Sequence, residues 1–334
     1  MTQTRITVIG DGGWGTALAL LLAGKGHAVR LWGAFPDYVA AMRRTRENAK
    51  FLPGFPLPEA LELADDLAAA VADADVLVAA VPTQFARGVL RKLARCYRPG
   101  TPVVSVAKGI ENRTLLRPTQ IVADVLGRRT PLVALSGPSH AEEVARGLPT
   151  TVAVASRRAA LARRVQGLFM TERFRVYTNT DIVGVELGGA VKNVIAIAAG
   201  ICDGIGLGDN AKAALLTRGL AEMTRLGVAL GARRATFAGL AGMGDLITTC
   251  MSPYGRNRSV GVQIGEGRSL RDILAAMEQV AEGVQTTKSI RALARRHGVE
   301  TPITEQCYRV LFRGKSPRRA VQDLMERAAK DERA

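Results

Sequence analysis

Short runs of apolar and β-branched residues alternate with longer helical stretches through the first half of the chain. The strand-like runs lie at residues 6–9, 28–32, 76–81, 103–107, 132–135 and 151–154. This alternation predicts a parallel sheet with helices on its faces. After a last strand-like run at 174–178, apolar residues recur with helical spacing at 184–200, 211–231, 270–277, 286–297, 304–312 and 317–329. We therefore predict an α/β domain of residues 1–180, followed by an all-α domain of residues 181–334.

The chain of 334 residues is long enough for two domains of ordinary size, with a cleft between them. Its 46 Lys and Arg residues against 30 Asp and Glu residues give a net charge of +16. The basic residues are spread along the whole chain and aromatic residues make up only 4%, so no stretch matches a nucleic-acid-binding motif. We expect solvated arginine-rich faces whose field attracts small anions, and no nucleic-acid partner.

The longest apolar runs, such as residues 17–23, are shorter than the roughly 20 residues that a membrane helix requires. The N-terminal residues enter a strand-like run directly, without the pattern of a secretion signal. The cysteines are far apart and form no Cys-x-x-Cys pair; they are Cys96, Cys202, Cys250 and Cys307. These observations predict a cytoplasmic protein with reduced thiols, no membrane span and no structural metal ion.

The first strand-like run leads directly into a glycine-rich turn, Gly10-Asp11-Gly12-Gly13-Trp14-Gly15, which an apolar helical run follows. In this Gly-x-Gly-x-x-Gly arrangement the first glycine allows a tight turn, and the second lets a pyrophosphate approach the backbone. The third lets the helix pack closely on the strand. The amino end of the helix faces the phosphates. An ordinary glycine-rich turn is the alternative, but the position between first strand and first helix favours a dinucleotide-binding oxidoreductase.

The sequence leaves the choice between NAD and NADP open. About 20 residues after such a turn an acidic residue usually binds the ribose 2′-hydroxyl, but residues 32–36 contain none. Asp37 comes next and is interpreted as a helix N-cap. Arg43, Arg44 and Arg46 are candidates for binding a 2′-phosphate, or they form a solvated helix face. Either cofactor is compatible with this pattern.

Lys192 lies inside an apolar, glycine-rich helical run at residues 185–199. No carboxylate stands three or four positions away, so no helical neighbour pairs with its ammonium group. Burial lowers a lysine pKa toward the range that is useful for proton transfer. Lys192 is therefore a candidate acid/base group. The alternative is a lysine whose stem covers apolar surface while its ammonium group reaches water.

The three histidines, His27, His140 and His297, are isolated from one another in the sequence and match no metal-ligand spacing. His140 directly follows the segment 136–139. We expect it to be structural or peripheral.

Four further segments are similar to one family: Ser136-Gly137-Pro138-Ser139, residues 187–193 around Lys192, residues 241–246 around Asp245, and Gly255-Arg256-Asn257-Arg258. Together with residues 51–53 and 280–283, they resemble the bacterial NAD(P)-dependent sn-glycerol-3-phosphate dehydrogenases, from residue 5 to about 330. The resemblance implies a Rossmann-like domain followed by a helical domain like the C-terminal domain of 6-phosphogluconate dehydrogenase. It also implies a homodimer that reduces dihydroxyacetone phosphate, a small phosphorylated substrate, to sn-glycerol 3-phosphate for glycerophospholipid biosynthesis.

The same resemblance implies roles for individual residues. Lys192 corresponds to the catalytic proton donor and acceptor, with Lys108 and Asp245 as its catalytic partners. The implied substrate-binding residues are Lys108, Gly137, Ser139, Lys192, Asp245, Gly255, Arg256 and Asn257. The implied cofactor-binding residues are Gly10, Gly12, Gly13, Trp14, Gly15, Ala34, Lys108, Ala141, Arg256, Val280 and Glu282. From the residues alone, the alternatives are a surface lysine at 108, a helix cap at 245 and a solvated loop at 256–257.

Three residues depart from the family pattern. Ala34 stands where a basic residue is common, which puts tight selection of NADP in doubt. Gly255 stands where serine is common, and Asp11 is atypical inside the glycine turn, where its carboxylate should point away from the pyrophosphate. Two other functions stay open: a related two-domain hydroxy-acid dehydrogenase, and a non-catalytic nucleotide sensor.

Overall fold

The computed structural model describes residues 3–329, 331 and 332. In this part of the chain the strands are β1 (Arg5–Ile9), β2 (Ala28–Trp32), β3 (Glu47–Asn48), β4 (Leu52–Pro56), β5 (Leu61–Ala64), β6 (Val76–Ala79), β7 (Val103–Ser105), β8 (Leu132–Ser136), β9 (Thr150–Ala155) and β10 (Phe174–Asn179). Eight of them form one sheet in the order β10-β9-β8-β7-β6-β1-β2-β5, and β3 pairs with β4. The predicted α/β sheet is confirmed.

The strands of this sheet do not all run in one direction. β5, β2, β1, β6, β7 and β8 are parallel, as predicted, whereas β9 is antiparallel to β8, and β10 is parallel to β9. Residues 137–149 join β8 to β9 through a helix of only five residues. Such a helix spans about 7.5 Å, less than the roughly 17 Å length of β8. The chain therefore enters β9 near the edge where β8 ends.

Helices cover the sheet and build the second half of the molecule. They are α1 (Gly13–Gly24), α2 (Pro36–Thr45), α3 (Leu67–Val71), α4 (Thr83–Leu93), α5 (Pro118–Leu126), α6 (Ala141–Ala145), α7 (Ala159–Phe169), α8 (Ile182–Gly204), α9 (Gly208–Ala229), α10 (Arg234–Phe237), α11 (Asp245–Met251), α12 (Arg256–Gly265), α13 (Leu270–Ala275), α14 (Glu282–Arg296), α15 (Pro302–Arg313) and α16 (Pro317–Met325). A π-helical turn, Leu240–Gly244, precedes α11. The predicted all-α second half is confirmed.

The core helix of the second half is α8. It is long and apolar enough to cross a membrane, but 89% of its most apolar window is buried inside the protein. Helices α9, α11, α12 and α14 pack around it. Small residues permit the close packing of α12, since a Cβ on Gly200 would lie 2.0 Å from the carbonyl oxygen of Arg258. This contact brings the start of α12 close to the last third of α8.

The glycine turn of the first domain has the geometry that its sequence predicts. Gly10 has φ of +115°, in the region that favours glycine. A Cβ on Gly15 would lie 2.0 Å from the carbonyl oxygen of Gly10, so only glycine lets α1 begin this close to β1. A Cβ on Gly12 would meet nothing within 4 Å, which leaves open space beside the backbone at the start of α1.

Two local predictions are wrong or incomplete. Asp37 is not the N-cap of α2, because Pro36 occupies the first helical turn and Phe35 is the capping residue. Residues 47–64 contain the short strands β3, β4 and β5, which the apolar pattern did not indicate. The domain boundary at 180 stays a prediction; β10 ends at Asn179 and α8 begins at Ile182.

Candidate active site

An open cleft with about 1120 Å³ of empty space lies between the sheet and the helical half. On the sheet side it is lined by the glycine turn, by residues 80–82 after β6, by residues 106–108 after β7, and by residues 139–142 after β8. On the helical side its wall comes from α8, α11, the start of α12 and residues 279–282. The cleft therefore lies at the carboxyl ends of the parallel strands, where open α/β sheets bind their ligands.

Two lysines share one carboxylate in the wall of this cleft. Lys192 Nζ donates to Asp245 Oδ1 at 2.6 Å, and Lys108 Nζ donates to Asp245 Oδ2 at 2.8 Å. Lys108 Nζ also donates to the carbonyl oxygen of Gly137 at 2.9 Å, and Lys192 Nζ donates to Thr249 Oγ1. Asp245 is only 1% exposed and Lys192 6%. Lys108 is therefore not a plain surface lysine, and Asp245 is not merely a helix cap.

Two adjacent glycines of α8 permit this arrangement. A Cβ on Gly188 would lie 2.3 Å from the carbonyl oxygen of Ala241, in the π-helical turn that directly precedes Asp245. A Cβ on Gly189 would lie 2.7 Å from Ser136 Oγ and 3.4 Å from Lys108 Cγ. Because both positions lack side chains, Asp245 and Lys108 approach one face of α8 from different parts of the chain.

Burial and charge set the protonation of these groups. The pKa of Lys192 is lowered from 10.5 to about 8, because burial and the charge of Lys108 lower it by more than Asp245 raises it. Burial alone would raise the pKa of Asp245, but the two lysines outweigh it, so this pKa lies below its ordinary value of 3.8. Lys192 is thus positioned to gain or lose a proton near neutral pH beside a carboxylate that stays ionised.

Hydrogen bonds of two asparagine side chains, Asn193 and Asn257, connect the sheet to the helical half beside the two lysines. Asn193 Nδ2 donates to the carbonyl oxygen of Lys108 at 2.9 Å, and Asn257 Nδ2 donates to Asn193 Oδ1 at 2.9 Å. Asn257 Oδ1 accepts from the backbone N–H of Gly283 at 2.9 Å. The alternative of a solvated loop therefore does not describe Asn257, although one of its N–H bonds is left for a ligand.

Arg256 lies at the start of α12, on the cleft wall. Its Nη1 atom donates to the carbonyl oxygen of Val280 at 3.3 Å, and the rest of the planar guanidinium group has no hydrogen-bond partner among the described residues. A guanidinium group of this kind fits two oxygens of a phosphate.

The part of the cleft next to the glycine turn, on the sheet side, fits a dinucleotide. The open space beside Gly12 and the amino end of α1 together form a cradle for a pyrophosphate. Trp14 and Ala141 line the same part of the cleft. Glu282 Oε1 accepts from the backbone N–H of Thr83 at 2.7 Å and so connects α14 to the start of α4 across the cleft.

The cleft brings together most of the residues singled out in the sequence. Its lining includes Gly12, Gly13, Trp14, Gly15, Lys108, Ser139, Ala141, Lys192, Asp245, Gly255, Arg256, Asn257, Val280 and Glu282. Three predicted residues, Gly10, Ala34 and Gly137, are not part of the lining. Gly10 shapes the glycine turn, and the carbonyl oxygen of Gly137 accepts a hydrogen bond from Lys108 Nζ. Ala34 is exposed just beyond the end of β2.

Some wall residues were not expected from the sequence. Thr249 contacts Lys192, and its position four residues after Asp245 on α11 was a signal that could have indicated it. His140 lines the cleft rather than a peripheral surface, with its ring 5.9 Å from that of Tyr254. Burial, reinforced by Lys192 and Lys108, lowers the pKa of His140 to about 4, so the imidazole is neutral at physiological pH.

The described residues hold no group of three or more His, Cys, Asp or Glu that could bind a metal ion. All four cysteines are free thiols.

The chain matches two family models that together span most of its length. Residues 5–162 match the NAD-dependent glycerol-3-phosphate dehydrogenase N-terminus, and residues 181–322 match the C-terminus of the same family. Over 332 residues the chain is 53% identical to glycerol-3-phosphate dehydrogenase (NAD(P)+) 2 of Salinibacter ruber, covering 99% of this chain and 96% of the relative. Over 334 residues it is 55% identical to the glycerol-3-phosphate dehydrogenase (NAD(P)+) of Geobacter sulfurreducens, covering 98% and 99%.

Among solved structures, the crystal structure of glycerol-3-phosphate dehydrogenase from Coxiella burnetii superposes with a TM-score of 0.94 at 41% sequence identity. The match covers 97% of this chain and 99% of that one.

Proposed function

Because the chain belongs to the NAD-dependent glycerol-3-phosphate dehydrogenase family, we propose that it reduces dihydroxyacetone phosphate reversibly to sn-glycerol 3-phosphate with NAD(P)H. The observation that carries the proposal is the buried Lys192, 2.6 Å from Asp245, in the cleft that also contains the glycine turn. The product is a precursor of glycerophospholipids.

Reduction of a ketone changes the charge at its oxygen. The chemistry supplied by a bound reduced nicotinamide is hydride donation to the carbonyl carbon, which leaves negative charge on the oxygen. The ammonium groups of Lys192 and Lys108 stabilise this charge, and Lys192 donates the proton that completes the alcohol. In the reverse direction, neutral Lys192 accepts the hydroxyl proton. A lysine pKa of about 8 allows both directions near neutral pH.

Asp245 is the positioning group of this site. By accepting from both lysines it fixes their ammonium groups on one side of the cleft. Its negative charge also offsets one of the two positive charges, which are close together in a buried place. The remaining positive charge is available to the substrate oxygen.

The phosphate of the substrate binds at the start of α12. Arg256 supplies a planar pair of N–H donors, and Asn257 supplies its remaining amide N–H bond. A Cβ on Gly255 would lie 2.8 Å from the carbonyl oxygen of Thr249, so glycine at this position lets the segment before α12 lie close to α11. The net charge of +16 favours the approach of an anionic substrate. A hydroxy acid without a phosphate would make no use of Arg256.

A division into residues 1–180 and 181–334, a homodimer and a cytoplasmic location complete the proposal. The change from sheet to helices after β10 supports the domain division. The family resemblance supports the homodimer. The four free thiols support the cytoplasmic location, because disulfides are rare there. Light scattering after size-exclusion chromatography tests the dimer.

The first experiment follows NADH absorbance with dihydroxyacetone phosphate for the wild type and for Lys192→Met. We expect rapid oxidation by the wild type. The variant should lose at least about 100-fold in kcat, the usual contribution of a general acid, while it binds NADH normally. Lys212→Met is the matched control, because Lys212 is also buried in a helix of the second half but pairs with Asp203 outside the cleft.

Near-normal turnover by Lys192→Met would refute the acid/base role. A wild type that binds NADH but oxidises none with this substrate would refute the proposed reaction.

A further inference from the structure

Asp11, the atypical residue of the glycine turn, carries a buried carboxylate, and one of its two oxygens lacks a hydrogen-bond partner among the described residues. The residue is 8% exposed, and Oδ2 has no hydrogen-bond partner among the described residues. The turn itself is held in place, since the Asp11 carbonyl oxygen accepts from Asn48 Nδ2 at 2.7 Å and from Thr16 Oγ1 at 3.3 Å. A carboxylate oxygen left in this state is costly unless a ligand donates to it.

The carboxylate lies on the β2 side of the turn. A Cβ on Gly33 would be 2.4 Å from Asp11 Oδ2, so the oxygen lies against the first residue after β2. In a dinucleotide-binding sheet, the space between the glycine turn and the end of β2 receives the ribose of the adenosine half. An acidic residue after β2 normally accepts from its hydroxyl groups, and residues 32–36 of this chain contain none. Asp11 places a carboxylate beside the same position from the neighbouring strand.

Two of the three arginines that could bind a 2′-phosphate, Arg43 and Arg46, are engaged by other groups, whereas Arg44 is exposed on α2. Arg43 donates to the carbonyl oxygen of Leu63 and to Asp65 Oδ1 at 2.7 Å. Arg46 donates to the carbonyl oxygens of Leu57 and Leu61. Ala34, just after Gly33, has no charge to offer. Directly after β2, where a 2′-phosphate would need a cation, residues 33–36 supply none, and Asp11 supplies a carboxylate.

We propose that Asp11 accepts hydrogen bonds from the adenosine ribose hydroxyl groups and thereby selects NAD over NADP. The carboxylate repels the additional negative charge of a 2′-phosphate at the same position. Burial raises the pKa of Asp11 above its ordinary 3.8, and a hydrogen bond from its own backbone opposes the shift. The inference rests on the proposed function only in that a dinucleotide binds at the glycine turn.

Binding without substrate tests this inference separately from the reaction. Isothermal titration calorimetry with NADH and NADPH should show that the wild type binds NADH at least about tenfold more tightly, with the same order for AMP and adenosine 2′,5′-bisphosphate. In Asp11→Ala the ratio of the two dissociation constants should fall by about tenfold or more. Asp11→Asn keeps the size of the side chain but removes the charge, and should fall between the two.

Asp37→Ala is the matched control, because Asp37 is an exposed carboxylate in the first turn of α2, near the same edge of the sheet. It should leave the ratio unchanged. Ala34→Arg should improve NADPH binding by restoring a cation at the end of β2. A wild type that binds NADPH as tightly as NADH overturns the inference even if no variant folds, and so does an unchanged ratio in a folded Asp11→Ala. Selective NADH binding without turnover of dihydroxyacetone phosphate would instead contradict only the proposed reaction.

Discussion

Replacing Asp245 with asparagine should move the acid/base group of this protein out of its working pH range. Asp245 holds Lys192 at 2.6 Å and Lys108 at 2.8 Å, and its charge keeps the pKa of Lys192 as high as about 8 despite burial. Asparagine has nearly the same size but no charge. Removing a carboxylate this close lowers a neighbouring pKa by about 1–3 units. We therefore expect the pKa of Lys192 to fall to about 6 in the variant.

The consequence for the reaction follows from the fraction of Lys192 that carries its proton. At pH 7 a group with a pKa of about 8 is roughly 90% protonated, whereas one with a pKa of about 6 is roughly 10% protonated. Reduction needs the protonated form, so kcat/KM for dihydroxyacetone phosphate should fall by about tenfold at pH 7 from this cause alone. The variant also removes the buried counter-charge that Lys108 and Lys192 share, which costs about 3–5 kcal/mol of stability.

The assay is the pH profile of kcat/KM for reduction, measured by NADH absorbance together with thermal unfolding of each protein. Activity of the wild type should decline as the pH rises through about 8, and the decline in Asp245→Asn should occur about two units lower. Asp203→Asn is the control, because Asp203 also accepts from two cations, Lys212 and Arg258, but lies outside the cleft. A less stable Asp245→Asn enzyme with an unshifted pH profile would refute this account, since Asp245 would then act only as a structural residue.

Three further predictions concern single contacts. Gly15→Ala should destabilise the first domain by about 1–3 kcal/mol, seen as a lower melting temperature, because its Cβ would be 2.0 Å from the carbonyl oxygen of Gly10; an unchanged melting temperature would contradict the packing. Gly12→Ala should leave the melting temperature unchanged, since nothing lies within 4 Å of its Cβ, but should weaken NADH binding measured by calorimetry about tenfold or more; undiminished binding would place the pyrophosphate elsewhere. Arg256→Ala should raise KM for dihydroxyacetone phosphate about 10- to 100-fold, because a charge-assisted contact to the phosphate is lost. Replacing the exposed Arg268 with alanine should leave KM unchanged. An unchanged KM in Arg256→Ala would favour a substrate without a phosphate.

The sequence by itself determined the features that depend on neighbours along the chain. Strand–helix alternation predicted the sheet, and the glycine turn predicted where α1 starts, because both depend on backbone sterics over a few residues. The apolar run around Lys192 predicted a buried lysine for the same reason. Family resemblance then named Lys108 and Asp245 as further residues of the site, although their distance in the sequence says nothing about their contacts.

The tertiary structure decided which groups share a hydrogen bond and which are left without one. Lys108 and Asp245 are 137 residues apart, and they meet only because Gly188 and Gly189 let two other segments approach α8. The direction of β9, the engagement of the Asn257 amide, and the position of Asp11 against Gly33 likewise depend on distant segments. Local pattern fixes neither the direction in which a chain returns to a sheet nor the partner of a side chain, because both depend on how whole elements pack in space.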